Sequence, residues 1–161
     1  MKMLLAVAFA VAFVPQDGAK EDPRFARLKK LAGDWANEKE PDKVASSWRL
    51  TAGGSTLQET LFPGTDHEMV TMYMMDGADL KLTHYCVMGN QPVMKAAKEI
   101  KDNALSFECI GVGNTKSHDD AHMHSAKFTF TSDDKYVADW GNSKGGKDGD
   151  RYVFTLIRMK K

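Results

Sequence analysis

The sequence predicts an all-β fold: an antiparallel up-and-down barrel of about ten strands with a short N-terminal capping helix. Three observations carry this. Short runs of alternating apolar and polar residues fill the chain from Gly33 onward. Turn signals built on Gly, Pro, Asp and Asn separate those runs at hairpin distance. No stretch after the first thirty residues has convincing helical spacing. Closing such a meander into a barrel removes exposed sheet edges and encloses an interior.

Length and composition agree with one domain. The chain has 161 residues, 42% apolar and 27% charged, with 22 basic and 22 acidic side chains, so its net charge is zero. That is the profile of a globular protein. It contains no basic stripe with interleaved aromatics, so nucleic acid is not an expected partner.

Met1-Lys2 is a minimal positive start, and Met3 to Val14 is an unbroken apolar run. Twelve helical residues cover only about 18 Å, short of the roughly 30 Å of a bilayer core. The expectation is a secretory signal peptide over residues 1–19, with an ill-defined cleavage position. The remaining 20–161 would form a single secreted or periplasmic domain without a membrane span. A buried N-terminal helix is the alternative, disfavoured because the run has no polar face.

Asp22-Pro23 reads as a helix start, with the carboxylate as N-cap and the proline at the first helical position. Phe25, Leu28 and Leu31 or Ala32 give the helix one apolar stripe, and Gly33 ends it. The first strand opens at Gly33-Asp34-Trp35. Strands are then expected over Val44–Thr51, Thr56–Phe62 and Met69–Met75, with turns at Gly53-Gly54, Pro63-Gly64 and Asp76-Gly77. Leu80 to Met88 places Leu80, Leu82, His84, Cys86 and Met88 on one face and breaks at Gly89-Asn90-Gln91-Pro92. A weaker strand runs from Met94 to Lys101, and a return passes through Leu105, Phe107 and Cys109. A polar loop from Gly111 leads to Ala121–Phe130. The last strands, Tyr136–Gly141 and Arg151–Arg158, are joined by the Gly- and Lys-rich segment Asn142–Asp150.

Four stretches carry a family likeness: Leu31-Ala32-Gly33-Asp34-Trp35, Gly53–Thr60, Thr83–Ala96 and Asp120–Ser125. A short helix leading into Gly33-x-Trp35 and then a meander resembles the calycin superfamily of lipocalins, fatty-acid-binding proteins and nitrobindin-like haem barrels. The four stretches together look like an exported bacterial calycin-like group of unknown function. The resemblance covers most of residues 24–158. It implies a lipocalin-like barrel and carries no established activity or ligand.

Strict alternation turns three histidines inward. His84 shares a face with Leu80, Leu82 and Cys86; His122 and His124 share one with Ala126, Phe128 and Phe130. Two imidazoles two residues apart on a strand lie about 7 Å apart at Cα, and such a pair can converge on one ion. Asp119 or Asp120 could orient one of the rings. His84 is expected roughly 14 Å away along the sheet, within reach only through barrel curvature, and Glu59 is the other candidate ligand. A His-His-His or His-His-Glu site would be a zinc-type site for water activation. The plainer account makes the same residues cavity-wall groups that orient an organic molecule. One inward histidine as the axial ligand of a haem is a variant of that account.

Cys86 and Cys109 invite a disulfide, but hairpin alignment sets them about 10 Å apart with a strand between, beyond bridging range; two buried free thiols are expected. Trp48, Tyr73, Trp140 and Tyr152 are aromatic candidates for core or cavity wall. The methionines Met69, Met72, Met74, Met75, Met88 and Met94 suit a gap-filling or adaptable lining. Asn90 and Gln91 are placed in a loop at one barrel mouth, where they could meet a polar head group. His67 and His118 are expected in solvent. The preferred function is a binding module: a small apolar or amphipathic molecule held inside the barrel, with Glu59, His84, His122 and His124 as its few polar contacts. A zinc enzyme and a solid structural barrel are the alternatives.

Overall fold

Ten antiparallel strands close on themselves in the order β1-β10-β9-β8-β7-β6-β5-β4-β3-β2. The strands are β1 (Gly33–Asn37), β2 (Glu40–Thr51), β3 (Thr56–Leu61), β4 (Met69–Asp76), β5 (Asp79–Tyr85), β6 (Gln91–Ala96), β7 (Ala104–Gly113), β8 (His122–Phe130), β9 (Lys135–Lys144) and β10 (Lys147–Arg158). The architecture comes from a computed structural model that describes residues 21–117 and 119–160. The expected signal peptide at residues 1–19, the domain's start at residue 20 and His118 lie outside the described residues. Among those described, no helix is long and apolar enough to cross a membrane.

Every strand pairs with its sequence neighbour, so hairpins build the sheet and only β1 with β10 joins distant segments. That seam is short, with Trp35 opposite Arg158, Ala36 opposite Ile157 and Asn37 opposite Leu156.

Helix α1 (Pro23–Lys29) closes one end. Asp22 accepts the backbone N–H of Arg24 as N-cap, and Pro23 sits in the first turn, where its missing N–H costs nothing. Arg24 is buried; its guanidinium donates to the carbonyls of Ala97 and Ala78 and pairs with Asp22 at 2.6 Å. That pairing holds the Asp22 carboxyl below its ordinary range. The helix thereby reaches two loops at this end, while Phe25, Leu28 and Leu31 enter the core.

The Gly33-x-Trp35 element has a physical reason. Gly33 has φ 127°, a conformation that favours glycine, and a Cβ there would sit 3.1 Å from Arg158 Nη1. Arg158 lies 4.4 Å above the Trp35 ring and donates to the carbonyls of Ala32, Lys30 and Asp133. Trp35 Nε1 donates to Leu31 O at 2.7 Å. One arginine and one tryptophan thus fasten the last strand to the helix-closed end.

Several expected boundaries move, among them the start of β2 at Glu40 rather than Val44 and the end of β6 at Ala96 rather than Lys101. The strand from Leu80 stops at Tyr85, because Cys86 already begins a turn in which Gly89 N–H donates to Cys86 O. The next strand starts earlier than Met94, at Gln91, and includes Pro92. The expected loop Asn142–Asp150 is mostly strand: Gly145 and Gly146, with φ 63° and 69°, make a tight two-residue hairpin turn between β9 and β10.

Candidate functional site

The two ends of the barrel are filled differently. Toward α1 the inward positions carry large rings: Trp35 packs edge-on to Tyr136 at 4.7 Å, Trp48 stacks on Tyr73 at 5.1 Å, and Phe128 touches both groups. At the other end no helix among the described residues covers the mouth, and a cavity of about 760 Å³ remains. Its wall is mostly aliphatic and aromatic, with Leu61, Phe62, Met69, Met123, Tyr152 and Phe154 among the lining. Val87 and Met88 give it an exposed apolar rim.

Two polar residues stand out in that wall. His84 is buried, and its ring lies 5.0 Å from Trp140. Alternation along β5 aims His84 inward beside Leu80 and Leu82, as the sequence implies. Its Nδ1 is 2.8 Å from Thr71 Oγ1. Burial lowers its pKa from 6.5 to about 4, so the imidazole is neutral near pH 7. Trp140 is 3% exposed, and its Nε1–H is a buried donor without a partner. An unmet buried donor is costly unless something accepts from it.

Glu59 and Tyr73 lie deeper, outside the cavity lining. Glu59 is fully buried on β3 and accepts from Ser46 Oγ at 2.9 Å and Tyr73 Oη at 2.7 Å. Desolvation raises its pKa to about 7 despite those two hydrogen bonds, which favour the ionised form. Burial and the neighbouring Glu59 push both Tyr73 and Tyr136 well above the ordinary phenol range. Tyr136 in turn accepts from Trp48 Nε1 at 3.1 Å. Thus the carboxyl sits in a satisfied polar knot inside the aromatic core.

The pair His122 and His124 is placed elsewhere than strict alternation implies. Met123 opposes Asn142 on β9 but Ser125 opposes Gly141, so β8 holds one extra residue, His124. This β-bulge breaks the period-two pattern. Met123, between the two histidines, lines the cavity, and neither histidine does. His84 does not join them. Cys109 does: one donor atom each from Cys109, His122 and His124 lie within 4.8 Å of one another. No other group of three His, Cys, Asp or Glu donors as tight occurs among the described residues.

His122 Nε2 is 3.1 Å from His124 Nδ1, and His122 Nδ1 is 2.7 Å from the carbonyl of Asp120. The main chain of Asp120, rather than its carboxylate, therefore orients the ring. The carboxylate instead accepts from the backbone of Lys116 and Ser117. Cys109 Sγ donates to Gly111 O at 3.4 Å, and burial raises its pKa. Cys109 and Cys86 are both free thiols, as expected, but half-buried rather than buried. Cys86 lines the cavity, as do Tyr152, Met69, Met88 and the exposed His67.

Asn90 is buried in the turn before β6 and donates to Ala121 O at 2.9 Å, with its Oδ1 unpaired. Gln91 begins β6 and donates to Gly89 O at 3.2 Å. Neither lines the cavity. Cavity-wall residues that the sequence did not single out include Phe62, Met123, Asn142 and Phe154. Of these, Asn142 lay in an expected loop and Met123 on the expected outer face. Among known proteins, no family model matches the chain and no curated protein matches it.

Proposed function

We propose that this calycin-like barrel is an exported binding protein for a small apolar or amphipathic molecule, held in the cavity at its open end. The observation that carries the reading is an apolar cavity of about 760 Å³ whose wall includes the neutral imidazole of His84 and the ring of Trp140, an indole whose buried N–H has no acceptor within the protein. That volume lies within the roughly 300–1,000 Å³ of small-molecule sites, and few polar groups in an apolar wall is how such sites fix orientation. The apolar body of the ligand would cover Phe62, Met69 and Phe154. An acceptor oxygen on it would take the Trp140 N–H, and the free side of the His84 ring would make a second polar contact.

The test is a titration with anilinonaphthalene sulfonate, an amphipathic fluorophore bearing acceptor oxygens. One saturable site per chain, with quenching of Trp140, is the expected result. Val44→Trp, which fills the cavity, should lower the affinity at least about tenfold, the equivalent of 1.4 kcal/mol. Absence of saturable binding, or unchanged binding in Val44→Trp, would count against the reading.

Haem is a second reading, favoured by the His84 contact: with Nδ1 engaged by Thr71, Nε2 is the nitrogen available as an axial ligand. Haem added to the protein should then give a Soret band that His84→Phe abolishes. A band that survives His84→Phe would remove this alternative.

A further inference from the structure

We propose that Cys109, His122 and His124 form a zinc-type metal site outside the barrel cavity, with three protein ligands and an open fourth position. The site is built where two strand irregularities meet. On β7, Val93 faces Gly111 and Met94 faces Cys109, so Ile110 is an extra residue next to the thiol. On β8, His124 is the extra residue opposite β9. The pairing of β7 with β8 runs to Glu108 opposite Ser125, and the next step along it places Cys109 beside His124. Bulges re-aim side chains, and here two of them bring three donors to one point.

The distances suit a tetrahedral ion. Two imidazole nitrogens on one zinc lie roughly 3.3 Å apart and a nitrogen and a thiolate sulfur about 3.6 Å, from bonds of about 2.05 and 2.3 Å. His122 Nε2 and His124 Nδ1 already stand 3.1 Å apart. The donor atoms of the group all lie within 4.8 Å of one another, so the thiol has at most about 1.2 Å to close (4.8 − 3.6). Leaving its weak bond to Gly111 O permits that rotation.

Ring orientation is also set. The Asp120 carbonyl can only accept, so His122 Nδ1 carries the proton and Nε2 presents its lone pair. Without metal, that lone pair accepts from His124 Nδ1–H. On binding, the cation takes both ring nitrogens, the His124 proton moves to its Nε2, and the Cys109 thiol proton leaves to water. Two imidazoles and a thiolate select zinc or copper over magnesium or calcium.

The competing account is a mere hydrogen-bonded imidazole pair beside an inert thiol. Cobalt(II), a spectroscopic stand-in for zinc, separates the two when added to the reduced full-length protein. One equivalent should bind with a thiolate-to-cobalt charge-transfer band in the near ultraviolet, and zinc should displace it. Cys109→Ser, nearly isosteric, should abolish the band and lower zinc affinity by more than the about 10–100-fold that losing an outer hydrogen-bond partner costs. His124→Gln should weaken binding similarly, and Cys86→Ser should leave both band and affinity unchanged. Unfolding curves of the metal-free variants check that each remains folded. Cobalt binding without a thiolate band, a band that survives Cys109→Ser, or no stoichiometric binding would overturn the proposal.

Discussion

The helix-closed end and the open end of this barrel are written in the same alternating code, yet one is solid and the other hollow. Inward residues on β2, β4 and β9 are Trp48, Tyr73 and Tyr136 toward the helix, and Val44, Met69 and Asn142 toward the mouth. Phe25 and Leu28 of α1, with Leu31 in the turn that follows it, add a lid of side chains at one end; no described element does so at the other. Inward orientation therefore decides only that a residue faces the interior. Whether it becomes core or wall depends on what plugs that end of the cylinder.

Stability should record the difference most strongly. Trp35→Ala removes a fully buried ring, its bond to Leu31 O and the platform under Arg158, and is expected to cost about 3–5 kcal/mol. Phe154→Ala, from the cavity wall, already faces empty space and should cost only about 1 kcal/mol. Urea unfolding of the two variants measures the gap; equal losses would mean that the open end is packed in solution.

Acid titration separates the interior carboxyl from the cavity histidine. Glu59 goes from 4.5 unfolded to about 7 folded, so the native state holds its proton more tightly and stability is lost as pH rises across that interval. His84 goes from 6.5 to about 4, so the native state holds its proton less tightly and stability is lost as pH falls across that interval. Each is worth on the order of 3 kcal/mol, and they oppose one another where the intervals overlap. The wild type should be nearly flat there. Glu59→Gln should make stability climb with pH, and His84→Gln should make it fall. Urea midpoints followed through the overlap test both slopes, and parallel profiles for the two variants would contradict the assignment.

Recognition at the mouth is a smaller effect. Trp140→Phe keeps a ring and removes the orphaned N–H, so thermal stability should hold or rise slightly. Affinity for the sulfonate probe should drop by about tenfold, corresponding to a hydrogen bond of about 1.4 kcal/mol. A pure hydrocarbon ligand, with no acceptor to lose, should bind the variant as it binds the wild type.

The smallest effect belongs to the solvated face of the closed end. Arg27 meets Asp133 at 3.2 Å, with the Asp133 side chain 73% exposed. Arg27→Lys should change stability by less than about 1 kcal/mol, and added salt should shrink that further. A larger loss would indicate that the Arg27 stack on Phe130 at 4.2 Å and its bond to Ser132 O, rather than the ion pair, carry the contact.

Much of the fold was legible because period-two alternation and turn residues act locally. Leu80, Leu82 and His84 face inward as read, and the break near Gly89 is where β5 gives way to β6. The site was less legible. A bulge inserts one residue without any fixed residue type, so nothing in Asp120–Ser125 reveals that His124 is the extra one. Strict alternation then sets both histidines toward the interior and leaves Cys109 a separate matter. Gly145-Gly146 did carry a hairpin signal, but the surrounding Lys and Asp residues read as loop because β9 and β10 extend there as a solvated ribbon. No local pattern distinguishes Trp48 in a solid core from Trp140 on a cavity wall; the contrast arises only when the cylinder closes.

The short β1–β10 seam sets an order of events in folding. Every other neighbouring pair is a hairpin that can form as soon as its own residues are available, whereas Trp35 and Arg158 are 123 positions apart (158 − 35). Loop-closure entropy makes such a distant pairing slow. During synthesis the chain must wait as an open, curling sheet until its last strand emerges, with the edges of β1 and whichever strand is newest both unprotected. The cylinder is thus zipped along its length but buckled once, by an arginine laid across a tryptophan. In a variant retaining Trp35 as its sole tryptophan (Trp48→Phe, Trp140→Phe), its fluorescence should be the last signal to reach the native value on refolding.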